Sequence, residues 1–217
     1  FNLPKILELT LHNGRDPRTG RQLGPQTGHA EDFPSFDALL AAYEQQIRYF
    51  VDVKITGSNR IERLFAEQMP VPFLSILTND CIATARDYNA GGARYNTSYL
   101  QGVGIGTVTD SLCALRYHVF ERKTFSMHEL MQALADDFKG HAALRGQLLY
   151  HTPHYGNNDA YADGLMLQAF DLYDRVVTGR PNTRGGSWRI NMLPTTCHVY
   201  FGEVLGASPD GRHAGKP

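Results

Sequence analysis

Apolar residues at Leu3, Ile6, Leu7, Leu9 and Leu11 open the chain. Their spacing predicts a short helix over 3–12, buried on most sides, with Asn13-Gly14 as its stop. Residues 14–34 hold four glycines and three prolines among polar groups, which predicts a surface loop. Ser35 then sits as a cap before the stripe Phe36, Leu39, Leu40, Tyr43, Ile47, Phe50, Val51, which predicts a long amphipathic helix over 36–56. Gly57-Ser58-Asn59 reads as a break. A second helix runs on to Met69 and is ended by Pro70-Val-Pro72. A further helix is expected over 73–85, capped near Thr78 or Asn79. The glycine-rich block 91–106 encloses a short strand, and Thr109-Asp110 lead into a helix reaching Phe120.

Ser126 with Glu129 three positions on is a capping-box pattern and predicts a helix over Met127–Phe138. A short helix at 141–150, a polar turn at 151–159 and a long amphipathic helix at 160–178 follow. After the loop 179–186, two runs read as strands: Ser187-Trp-Arg-Ile-Asn191 and Cys197-His-Val-Tyr-Phe201. Helices alternating with a few strands give an α/β class. The strands are too few to close a sheet or barrel alone. No repeat and no internal linker divides the chain, so residues 1–217 read as one incomplete piece.

Composition narrows the function classes. Hydrophobic residues make up 42 % and charged residues 20 %, within the globular range. The net charge of −1 leaves no electrostatic footprint for nucleic acid or an anionic membrane. No apolar run is long enough for a transmembrane helix. Phe1-Asn-Leu-Pro-Lys5 has neither the basic region nor the cleavage site of a signal peptide. Three cysteines without CxxC spacing argue against a disulfide framework or a zinc site, so the cytoplasm is the expected compartment. The missing initiator Met and the turn-rich end at Asp210–Pro217 predict an internal piece of a longer chain.

Most candidate motifs reduce to packing. Gly102-Val-Gly104-Ile-Gly106 has the outline of a dinucleotide fingerprint, but Thr107 stands where the third glycine belongs. Close backbone packing is the favoured reading. His151 and His154 flank Thr-Pro and share no helix face, and HExxH is absent. GxSxG is absent too, which removes a serine-hydrolase reading. Cys197-His198, read as neighbours on a strand, point to opposite faces and so form no dyad. In Tyr155–Asp159, Asn157, Asn158 or Asp159 is expected to cap the following helix. Arg94-Tyr95-Asn96 fits either a pocket or dimer contact, or a loop tied by an Arg–carboxylate pair, with the tie favoured. Pro194 marks a strand entrance. Thr195 and Thr196 beside it offer hydroxyls either to a small polar substrate or to local backbone.

Taken together, several segments carry a resemblance: Asn2–Leu11, Asn13-Gly14, Gly91–Asp110, Thr152-Pro-His-Tyr-Gly-Asn157, Thr178-Gly-Arg-Pro181, Met192–Glu203 and Gly206-Ala-Ser-Pro-Asp-Gly-Arg212. The set resembles the pyruvate formate-lyase family of glycyl radical enzymes, and most of all its dehydratase branch. The resemblance implies a ten-stranded barrel in a helical shell, of which this chain supplies a helix-rich part. It also implies a lyase that eliminates water from a small hydroxylated substrate such as 4-hydroxyproline. In the family a glycyl radical near the C-terminus passes to a cysteine, whose thiyl takes a hydrogen atom from the substrate, and a glutamate in Gly-Cys-Val-Glu acts as base. An iron–sulfur, S-adenosylmethionine-dependent activating enzyme installs the radical, and the family implies a homodimer.

Neither Gly-Cys-Val-Glu nor Arg-Val-Ala-Gly-Tyr occurs here, so no catalytic residue is assigned, and the chain alone is expected to be inactive. Thr195 is the one substrate-binding residue the resemblance supplies. Asn158, where relatives often carry aspartate, and Arg184 with Trp188 depart from the pattern and leave the substrate open. Carbon–carbon or carbon–nitrogen cleavage, or an inert scaffold, are the alternatives.

Overall fold

The computed structural model describes residues 1–192 and 196–217. They form an α/β arrangement dominated by helices, falling into two compact units. The first unit comprises residues 1–49, 102–173 and 192–217; the second comprises 50–101 and 174–191. Two helices run through from one unit to the other, so the boundary carries no linker composition.

In the first unit, α1 (Leu3–Leu11) starts where the Asn2 side chain accepts from the Lys5 N–H at 3.3 Å. It ends where Asn13 and Gly14 turn left-handed (φ 52° and 77°) and the Gly14 N–H bonds the Leu9 carbonyl at 2.7 Å. That stop is the one expected from Asn13-Gly14. A Cβ on Gly14 would lie 2.3 Å from the Pro25 carbonyl, so the turn also needs glycine for space. The helix is buried nearly all round. It packs against α4, and the buried residues of this unit also include Leu39, Tyr43 and Ile47 of α2, Val108, Leu112 and Cys113 of α4, and Leu165, Ala169 and Tyr173 of α7. Tyr43 donates from its hydroxyl to the Leu3 carbonyl at 3.3 Å. Residues 1–3 also add a parallel bridge, Asn2 to Val103.

Helix α2 spans Phe36–Gln68 without interruption, with Ser35 Oγ accepting from the Ala38 N–H at 3.2 Å. The break expected at Gly57-Ser58-Asn59 does not occur. One glycine costs a helix interior about 1 kcal/mol. Asn59 spends its amide on tertiary partners instead of a cap, accepting from Trp188 Nε1 at 3.0 Å and donating to the Pro181 carbonyl. Helix α3 is only Pro72–Leu77, shorter than the expected 73–85, because residues 78–85 turn back through left-handed Asp80 and Ala85.

Strand β1 (Ser98–Gln101) pairs in parallel with β2 (Trp188–Asn191), with Ser98 opposite Trp188 and Leu100 opposite Ile190. Helix α4 (Ile105–Ala114) begins four residues earlier than read, since Gly104 at φ 88° serves as its N-cap. It continues as a π-helical segment, Leu115–Glu121. Helix α5 (Met127–Ala135) starts with the expected Ser126–Glu129 capping box and stops short of Phe138, where Asp137 and Phe138 turn left-handed. Helices α6 (Ala142–Tyr150) and α7 (Ala160–Val177) match their expected spans. Cys197–Phe201, read as a strand, lies instead in helix α8 (Cys197–Glu203).

Candidate functional site

Thr195, with Pro194, lies outside the described residues. The described chain enters this segment from β2 and leaves it through Thr196 into α8, seven residues long. So short a helix does not hold its shape alone. Its C-terminal end is secured by outside donors. Phe201 O accepts from Asn2 Nδ2 at 3.3 Å, and Gly202 O from the Leu205 N–H at 3.0 Å. Glu203 O accepts from Arg18 Nη1 at 2.5 Å, and Val204 O from Lys5 Nζ at 3.0 Å. Carbonyls at a helix C-terminus lack intrahelical donors and carry partial negative charge, so two cations there are favourable.

Lys5 has three acceptors for its three N–H bonds: Val204 O, Asp16 Oδ1 at 2.7 Å and Glu8 Oε2. Glu8 in turn accepts from the Gly206 N–H at 2.7 Å. Asp16 is 6 % exposed, and burial raises its carboxyl. The Lys5 and Thr19 hydrogen bonds and the Lys5 charge outweigh that and hold it at about 2. Beyond α8, Arg212 binds the carbonyls of Gly206, His213 and Lys216 and closes residues 206–216 into a loop. Gly202 lies against that loop, where a Cβ would come within 2.1 Å of the Lys216 carbonyl.

The strand reading of 197–201 failed because its aromatic and β-branched composition is a weak guide against such contacts. The argument from opposite strand faces at Cys197-His198 falls with it, although i and i+1 on a helix do not face each other either. Lys5 and Glu8 were missed as site-building residues. Two charges inside an otherwise apolar buried helix are the signal that points to them.

The second unit holds a polar cluster at the start of both strands. Glu62 accepts from Ser98 Oγ, and its other oxygen from Thr183 Oγ1 at 2.9 Å. Asn182 Nδ2 donates to Ser98 Oγ at 2.9 Å. Arg184 Nη2 donates to Thr97 O at 3.1 Å and to Ser98 Oγ at 3.2 Å. Its guanidinium carbon stands 5.8 Å from the Tyr88 ring centroid. Arg184 and Trp188, the departures noted in the sequence, therefore sit where β1 and β2 begin and fix the strands. Glu62 gave no sequence signal, since it lies on the polar outer half of α2.

The other candidates resolve into structure. Arg94 forms a two-pronged pair with Asp80 at 2.8 Å, the tie that was favoured. Asp159 caps α7 by accepting from the Tyr161 and Ala162 N–H groups. A Cβ on Gly102 would lie 2.8 Å from Tyr173 Cε1, and one on Gly104 would lie 2.5 Å from Pro4 Cγ. These glycines serve close packing. Cys81 and Cys113 are buried, and Cys197 is exposed. Burial, with Asp110 and Asp159 nearby, pushes the Cys113 thiol up to about 12. Among the described residues, no three His, Cys, Asp or Glu side chains gather to hold a metal, and no helix is long and apolar enough to cross a membrane. Among the described residues, the contacts of Asn2, Lys5 and Arg18 hold the C-terminal end of α8.

The trans-4-hydroxy-L-proline dehydratase of Clostridioides difficile is 51 % identical over 217 residues, covering 100 % of this chain and 28 % of that protein. The crystal structure of that dehydratase with trans-4-hydroxy-L-proline bound superposes with a TM-score of 0.97 over 99 % of this chain and 27 % of the other. The glycerol-bound B12-independent glycerol dehydratase of Clostridium butyricum is 38 % identical, with a TM-score of 0.95 over 100 % of this chain and 27 % of the other. The chain thus spans about a quarter of the length of the relatives it matches. A family model described as pyruvate formate lyase-like matches residues 1–202, and the chain belongs to that family.

Proposed function

We propose that this chain is a section of a glycyl radical dehydratase that eliminates water from a small hydroxylated substrate, with trans-4-hydroxyproline the first candidate. The observation that carries the reading is the match over the whole chain to the hydroxyproline dehydratase, at 51 % identity and a TM-score of 0.97. In this reading β1 and β2 are two strands of the ten-stranded barrel, and Thr195 offers its hydroxyl to the substrate. The exposed apolar side chains Phe73, Leu77 and Ile82 (82, 83 and 71 % exposed) also fit a section that packs against more protein.

The family's radical supplies hydrogen-atom abstraction from the substrate carbon. None of this chain's cysteines is assigned the thiyl role, because the Gly-Cys-Val-Glu context is absent. A cytoplasmic homodimer and an S-adenosylmethionine-dependent activating enzyme complete the proposal.

The test begins with the reading frame on both sides of the segment. It should run upstream to a Gly-Cys-Val-Glu loop and downstream to a radical glycine. The activated enzyme, kept anaerobic, is then offered trans-4-hydroxyproline, glycerol and 1,2-propanediol. Loss of water from one of them supports the proposal. A native polypeptide without the cysteine loop, or an activated enzyme that dehydrates none of the three, refutes it.

A further inference from the structure

We propose that His118 is an acid-sensitive latch: as a neutral ring with its proton on Nε2 it ties the π-helical segment to the Thr152 turn on one side and to the Thr124 loop on the other, and a second proton releases both. The inference is independent of the dehydratase reading and uses residues of the first unit alone.

Three observations lead there. First, the hydrogen bonds around His118 fit one neutral tautomer. The residue lies in the π-helical segment Leu115–Glu121 and is 1 % exposed. Its Nε2 stands 3.0 Å from Thr152 Oγ1, and its Nδ1 stands 3.1 Å from Thr124 Oγ1. Thr152 spends its one hydroxyl hydrogen on the Gln147 carbonyl at 3.2 Å. Toward His118 it can only accept, so the network assigns the ring proton to Nε2. Nδ1 then accepts from the Thr124 hydroxyl, while the Thr124 N–H donates to the His118 carbonyl at 2.8 Å.

Second, the surroundings offer nothing to an imidazolium. Phe125 stacks on the ring at 5.1 Å, and Tyr117 meets it edge-on at 5.0 Å. The titratable and charged groups about the ring are Tyr117 with Arg122 over it, on or just after its own segment, and His151 at the end of α6. None is a carboxylate. Burial pulls the ring below the ordinary histidine value of 6.5; the Gln147 carbonyl opposes that, and His151 adds to it.

Third, the two hydroxyls belong to different connections. Thr124 lies between the π-helical segment and α5, and Thr152 lies between α6 and α7. Asp110 holds the second connection farther on, accepting from the Tyr155 N–H at 2.8 Å and facing His154 at 3.1 Å, so opening starts at Thr152. Once open to water, the ring regains its ordinary affinity for a proton. The contribution of the latch is therefore complete above the ordinary value of 6.5 and is lost as the pH falls below it. One proton taken up on opening raises the open fraction by up to about tenfold per pH unit.

The experiment reads amide hydrogen exchange of residues 122–126 and 151–155 in the complete parent polypeptide, as protection relative to the unstructured rate at each pH. Protection of both segments is expected to fall by up to about tenfold between about pH 7.5 and about pH 5.5. His118→Gln keeps a donor for Thr152 and has no titratable proton, so its protection should not change over that range. His128→Gln, which removes an exposed histidine of α5, should respond as the parent does. Protection in the parent that ignores pH overturns the proposal. So does a response that survives in His118→Gln, which would move the acid sensitivity to His151 or His154. If His118→Gln does not fold, Thr152→Val decides. Faster exchange of 151–155 than in the parent at about pH 7.5, beside a pH response in the parent, supports the latch, and unchanged exchange overturns it.

Discussion

Alanine at Gly104 and alanine at Gly106 should change stability in opposite directions, although the two glycines stand two residues apart in one motif. Gly104 holds φ 88°, ψ 27° as the N-cap of α4. An L-residue there costs about 1–2 kcal/mol in left-handed strain. Its Cβ would also lie 2.5 Å from Pro4 Cγ and 2.6 Å from Pro4 Cδ. Pro4 is buried, and a ring closed on its own backbone cannot swing aside. Overpacking of this kind adds about 1–3 kcal/mol. Gly104→Ala is therefore expected to cost about 2–5 kcal/mol. Gly106 has open space where its Cβ would stand and lies inside the first turn of α4. Alanine there restricts the unfolded chain and stabilises the helix by about 0.5–1 kcal/mol. For a chain of this size 1 kcal/mol moves the melting temperature by about 2–4 °C. Differential scanning calorimetry should show Gly104→Ala lower by at least about 4 °C and Gly106→Ala higher by about 1–4 °C. A Gly104→Ala protein as stable as the parent would refute the packing account. So would a loss at Gly106 as large as that at Gly104, which would suggest a demand on the whole glycine motif.

Three further outcomes follow from named groups. The Asp16 carboxyl is held at about 2, below its ordinary 3.8, so its contribution is complete above about pH 4 and is lost as the pH falls toward 2. Acid titration of the urea midpoint should lose about 1–2 kcal/mol in that window, and Asp16→Asn should flatten the loss. Lys5→Met strands Glu8 and Asp16 and should cost about 3–5 kcal/mol, while adding Glu8→Leu should recover part of it. A double-mutant cycle in urea reads the coupling, and strict additivity would contradict it. Iodoacetamide should label Cys197 first and leave Cys81 and Cys113 protected until unfolding, as peptide mass mapping will report. Early labelling of Cys113 would contradict its burial.

What could be read from the sequence was local. Asn13-Gly14 ends α1 and Ser126 with Glu129 starts α5, because each rule needs only neighbours within one turn. The α/β class and the short strand inside the glycine block were legible in the same way, and the resemblance to the dehydratases holds along the whole chain. The misreadings share one cause. At Gly57-Ser58-Asn59 the local signal for a break loses to Trp188 and Pro181, which take up the Asn59 amide. At Cys197–Phe201 a strand-like composition loses to Asn2, Lys5 and Arg18, which supply donors to the helix end. In both places the deciding partner lies more than a hundred positions away, and no window along the chain contains it.

The same distance explains why charge appears in α1 at all. Burying Lys5 and Glu8 among Leu3, Ile6, Leu7 and Leu9 carries a desolvation cost, and apolar residues of similar volume often hold such a site as firmly. Apolar contacts, however, are satisfied by many small shifts of one surface over another. An ammonium with three acceptors is satisfied in one place, and a carboxylate that must also meet the Gly206 N–H narrows that place further. The pair therefore contributes location more than stability. Location is what a seven-residue helix lacks on its own account. A short helix that acts only as spacer could end on water. This one ends on two cations from elsewhere in the fold, one of them locked by buried carboxylates.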